Sequence, residues 1–111
     1  MLIFKILRPD EWDAYENTGR FTGAPIDVSD GYIHFSTAEQ LAATAAKHFT
    51  REDGLILAAF DADALGQALQ WEPARGGDLF PHLYRALTME DLVWSRRLPL
   101  GPEGHVLGDL T

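Results

Sequence analysis

Between Gly54 and Phe60 the chain runs Leu-Ile-Leu-Ala-Ala-Phe without a polar break. So short an apolar run predicts a central strand buried on both faces rather than a helix. A different pattern follows the turn signal Asp30-Gly31, where Tyr32-Ile-His-Phe35 is β-prone and its side chains alternate between the faces of a sheet. Tyr32, His34 and Ser36 then share one face, and Ile33 and Phe35 point to the core. Leu2–Leu7, Leu69–Glu72, Phe80–Tyr84 and Val93–Leu98 complete the expected extended segments, with His82 and Tyr84 on one face of theirs.

Helix signals lie between these runs. Pro9 suits a first helical turn, Asp10 and Glu11 suit its dipole, Trp12 and Tyr15 share a face, and Gly19 is a natural stop. Ser36-Thr-Ala-Glu39 has the spacing of a capping box, and the alanine-rich segment from Leu41 to Phe49 continues it as a second helix. Asp61–Leu65 reads as a short helical turn, Thr88–Asp91 as a capped one, Phe21–Ser29 as an irregular loop and Pro73–Leu79 as a flexible loop. The pattern is that of one α+β domain over residues 1–111 with two main helices.

Composition narrows the class. With 46% hydrophobic and 23% charged residues the chain has enough apolar surface for a core, and 111 residues are about one domain. No run approaches the ~18 apolar residues of a spanning helix, and the first residues lack the pattern of a signal peptide, so a cytoplasmic protein is expected. The absence of cysteine removes disulfide and thiolate chemistry and fits a reducing compartment. A net charge of -8 opposes a phosphate backbone, which makes nucleic acid an unfavoured partner. A small phosphorylated ligand is less affected, because a local guanidinium and backbone N–H groups act inside a cleft whatever the global sign.

The residues that carry chemistry gather around Gly31-Tyr-Ile-His-Phe-Ser-Thr37. His34 flanked by Tyr32 and Ser36 on one face, just before a helix N-terminus, suits an anion, with Ser36 and Thr37 as hydroxyl donors. The plain alternative is that Ser36 is a helix cap and His34 a hydrogen-bonded core residue. Arg75-Gly-Gly-Asp78 places a guanidinium beside permissive backbone, which suits closure over a ligand as well as an ordinary turn. Four histidines without metal-ligand spacing do not make a metal site, and Ser36 lies in no Gly-x-Ser-x-Gly elbow.

Three blocks in order, Ile3-Phe-Lys-Ile6, Gly31 to Gln40, and Trp71-Glu-Pro-Ala-Arg-Gly-Gly-Asp-Leu-Phe-Pro-His-Leu-Tyr84, closely resemble the bacterial family called domain of unknown function 952. The resemblance spans nearly the whole chain and brings no assigned activity with it. It implies a compact relative of the ADP-ribosyltransferase fold, a split β-sheet holding NAD in a cleft. By that analogy Gly31–Thr37 with its helix is similar to the segment that stacks on nicotinamide. Lys5 falls where many transferases place the His or Arg of their first motif, and His82 falls near their catalytic glutamate. Both are departures from the transferase pattern.

Two readings of different kind follow. In one, the domain binds NAD or another phosphorylated nucleotide-like molecule in a cleft lined by Tyr32, His34, Ser36, Thr37, Arg75 and His82. His34 and His82 are its candidate acid–base groups, and glycosyl or phosphoryl transfer is its candidate reaction. In the other, a non-catalytic interaction module keeps the fold without the chemistry, consistent with the missing glutamate. RNA end processing is a third, weaker expectation, because a tRNA phosphotransferase family uses a related fold.

Overall fold

A computed structural model describes the backbone of residues 1–111 and every side chain except that of Arg75. The apolar runs form two three-stranded antiparallel sheets. The first has the order β1 (Leu2–Leu7), β4 (Leu55–Asp61), β8 (Leu92–Leu98), so the uninterrupted apolar strand is central, as its composition predicts. The second has the order β3 (Ile33–His34), β6 (Asp78–Leu83), β5 (Leu69–Ala74).

The sheets meet where the strand after the Asp30-Gly31 turn changes partner. Ile33 and His34 pair with Leu83 and His82 of β6, and Phe35 N–H donates to the Pro81 carbonyl. One residue later Ser36 pairs with Phe4 of β1 through bonds of 2.8 and 2.9 Å. His34 and Ser36 therefore stand at the seam.

Helix α1 (Pro9–Thr18) packs Tyr15 into the core shared by the two sheets, with Ile3, Leu7, Ile33, Phe35, Phe60 and Leu83. Trp12 meets Tyr15 edge-on at 5.7 Å, as their shared face requires. Helix α3 (Ala38–His48) covers the other face of the first sheet, where Leu41 and Ala45 pack on Phe4, Ile6, Leu55 and Leu57. A short α4 (Ala62–Leu65) follows β4, and the small pair β9 (Leu100–Gly101) and β10 (Gly104–His105) closes the chain. Among the described residues no helix is long and apolar enough to cross a membrane.

Three local expectations are corrected. The segment Phe21–Ser29 is not irregular: β2 (Arg20–Phe21) pairs with β7 (Leu87–Thr88), and Pro25–Asp30 is a helix, α2. Its start is set by Pro25 and by the Asp27 carboxylate, which accepts the Ala24 N–H at 2.8 Å. The expected helix after Ser36, now α3, is capped by Thr37 rather than Ser36. Its hydroxyl accepts Gln40 N–H at 3.2 Å while Gln40 Oε1 accepts Thr37 N–H at 3.0 Å, the same box one residue on. The flexible loop Pro73–Leu79 shrinks to a turn at Arg75–Gly77, because Gly76 and Gly77 adopt positive φ and close a hairpin that pairs Ala74 with Asp78.

Candidate functional site

Beside the seam lies a cavity of about 570 Å³ between α2, α3 and the two sheets. Alternation along β3 and β6 decides which side chains reach it. His34 and His82 are register partners on adjacent strands, so both imidazoles project to the same face, with ring centroids 5.4 Å apart. Tyr32 lies against both, 4.6 Å from His34 and stacked on His82 at 4.1 Å.

The two imidazoles are held differently. His34 Nδ1 is 2.6 Å from Asp27 Oδ1 and its Nε2 is 2.9 Å from Asp30 Oδ2, so both ring nitrogens are committed to carboxylates of α2. His82 Nδ1 is 2.8 Å from Glu72 Oε1, and among the described residues its Nε2 has no partner. Glu72 Oε1 also accepts the Tyr84 hydroxyl at 2.7 Å. Hydrogen bonds from Tyr84 and then His82 hold the Glu72 carboxyl below its usual range, and the Glu72 bond pushes the Tyr84 phenol up to about 12.

Beneath His34 is a buried knot. Asp27 is 1% exposed and Lys5 is 8% exposed. Lys5 Nζ has three acceptors, Asp27 Oδ2 at 3.0 Å, Asp27 Oδ1 at 3.3 Å and the His34 carbonyl at 2.9 Å, which match the three N–H bonds of an ammonium. Asp27 further accepts the backbone N–H groups of Ala24 and His34. Burial acts to raise the Asp27 carboxyl, but the His34 hydrogen bond, the Lys5 charge and the two N–H groups outweigh it and bring it down to about 2. Burial lowers the Lys5 ammonium against the opposing pull of Asp27. The knot ties α2, which forms one wall of the cavity, to β1 and β3 at once.

The other sequence candidates fare as follows. Ser36 lines the cavity, its hydroxyl 2.7 Å from that of Thr44 on α3. Thr37 is not among the lining residues, since its hydroxyl is spent on the helix cap. The Arg75 side chain lies outside the described residues. Among those residues no group of three or more His, Asp or Glu is placed to hold a metal ion. Sequence reading missed Asp27, Asp30, Glu72 and Tyr84 as members of the site. Asp27 had a signal, since proline followed two residues later by an acid marks a helix start; Glu72 had none.

The fold and site thus define a mixed α+β domain whose two antiparallel sheets share a histidine-lined cavity. The chain belongs to the family of proteins of unknown function DUF952, whose model matches residues 6–95. It is similar to protein CC0527 from Caulobacter crescentus, whose crystal structure has 46% identity and a TM-score of 0.94 over 98% of this chain and 96% of that one. The solution NMR structure of the same protein has a TM-score of 0.84 at 46% identity, covering 94% of this chain and 90% of that one. The search of curated proteins gives no match.

Proposed function

We propose that the cavity binds a small phosphorylated, nucleotide-like molecule, with NAD among the candidates, and that His82 is its acid–base group. The observation that carries this reading is the asymmetry of the two imidazoles. Glu72 occupies Nδ1 of His82 and leaves Nε2 free in a cavity of a size typical of small-molecule sites. A carboxylate at Nδ1 fixes the ring and its tautomer, so Nε2 can take a proton from an attacking hydroxyl and later return it. His34, bonded at both nitrogens, positions the wall that carries Tyr32 instead of exchanging protons with a ligand. Glycosyl or phosphoryl transfer is the reaction class this arrangement suits.

The ADP-ribosyltransferase-like reading is supported by two three-stranded sheets joined at Phe4–Ser36 with the cavity beside the junction. Against ordinary ADP-ribosyl transfer, Lys5 is neutralised by Asp27, and His82 stands where the analogy expects a carboxylate. A cytoplasmic location fits the absence of cysteine.

The test is calorimetry and two-dimensional NMR with NAD, ADP-ribose and nucleoside monophosphates on the native chain, His34→Ala and His82→Asn. Binding that shifts cavity resonances and is lost in His82→Asn supports the reading. No shift with any of them at millimolar concentration defeats it.

A further inference from the structure

The histidine end of the cavity is lined by the Asp27 and Asp30 carboxylates held against His34 and by the Lys5 ammonium paired with Asp27, while Glu72 backs His82 from outside the lining. That end is a poor seat for a phosphate, because carboxylates already surround the imidazoles. Away from it, α3 sends Leu41, Thr44, Lys47 and His48 to the cavity wall at helical spacing, and Arg8, against Phe49 at the end of α3, and Glu11 line it as well. Lys47 sits about one helical turn beyond Thr44, whose hydroxyl meets Ser36.

The cations there are not equivalent. Arg8 is held by both oxygens of Glu52 at 2.9 Å and lies over the Phe49 ring at 4.7 Å, and its backbone N–H occupies Glu11 Oε1. Lys47 is exposed and has no hydrogen-bond or ion-pair partner among the described residues. The helix dipole favours a basic residue anywhere in the last turn. It does not dictate the register that puts this one on the cavity wall. Leu41, Phe49 and Phe80 supply apolar lining for a ring.

We infer that the ligand carries one terminal anionic group, a phosphate or carboxylate, bound at Lys47, with a ring on the apolar lining and a hydroxyl-bearing part at His82. This rests on the nucleotide-like reading above and narrows it to a molecule with a single charged end, such as a nucleoside monophosphate, in preference to a dinucleotide.

Affinities of a nucleoside, its 5′-monophosphate and NAD, measured by calorimetry for the native chain and for Lys47→Gln, test the inference. The monophosphate is expected to bind about ten-fold or more tighter than the nucleoside, the scale of one charge-assisted hydrogen bond. In Lys47→Gln that advantage disappears while nucleoside affinity stays. Equal binding of nucleoside and monophosphate, an undiminished advantage in Lys47→Gln, or tighter binding of NAD than of the monophosphate overturns it. If none of the three binds, the nucleotide reading fails separately, and phenyl phosphate and benzoate decide the inference. Binding of either that Lys47→Gln abolishes upholds the anion seat, and no binding overturns it.

Discussion

His34 and His82 face each other across adjacent antiparallel strands, yet one has both ring nitrogens bound to carboxylates and the other has one nitrogen open. Identical side chains in register thus receive different tasks from what lies behind them, α2 for His34 and β5 for His82.

Asp27→Asn is expected to destabilise the fold by about 3–5 kcal/mol, because it leaves the buried Lys5 ammonium without its counter-charge. Urea unfolding of the variant measures this. A loss under about 1 kcal/mol would mean that Lys5 finds solvent without Asp27.

The same carboxylate sets an acid limit. Asp27 titrates at about 2 in the folded chain against about 3.9 when unfolded, so its contribution is whole above about pH 4 and fades as pH falls toward 2. The loss amounts to roughly 2–3 kcal/mol when complete. Lys5, lowered by burial, releases its proton earlier in the folded chain, so its own contribution grows as pH rises toward the ordinary lysine range. Unfolding midpoints from pH 7 to pH 2 check the acid limb: the gap between native chain and Asp27→Asn should narrow below pH 4, and a constant gap refutes it.

Glu72 joins two groups through one oxygen, and Glu72→Gln should release both. The Tyr84 phenol, held at about 12 by this bond, is expected to move down toward 10. Nitrogen NMR of the His82 ring should show the ring no longer held in the one hydrogen-bonded arrangement that Glu72 imposes. An unmoved Tyr84 titration would show that the carboxylate does not hold it in solution.

Gly23 adopts φ +126° just before the N-cap Ala24 of α2, and a Cβ there would stand 2.7 Å from Asp27 Cβ. Gly23→Ala is expected to cost about 1–3 kcal/mol through the strained backbone alone, and more if Asp27 is pushed off Lys5. Thermal unfolding, with the His34 and Lys5 resonances as reporters of the knot, measures both parts; a fully stable variant with unshifted resonances counts against the packing described.

Much of the fold was legible because its signals are local. The unbroken apolar run of β4, the alternation that buries Ile33 and Phe35 while turning His34 to the cavity, and the helix caps at Pro9 and near Ser36 depend on residues a few positions apart. Alternation also placed His82 and Tyr84 on one face, where both meet Glu72. Where the reading slipped, as at Phe21–Ser29, glycine and proline mark a loop and a helix start alike, and the choice rested on whether Asp27 could be buried.

That choice belongs to the tertiary structure. Lys5 and Asp27 are 22 residues apart, and nothing near either one announces the other. A carboxylate at Asp27 is tolerated inside only because β1, β3 and α2 converge to give it an ammonium, an imidazole and two N–H groups together. The sequence by itself determined which segments extend, which coil and which faces are apolar, because those follow from spacing. The order of strands, the seam at Phe4–Ser36 and the partner of each histidine were decided only on chain closure, since a charge takes its meaning from the groups that surround it once water is gone.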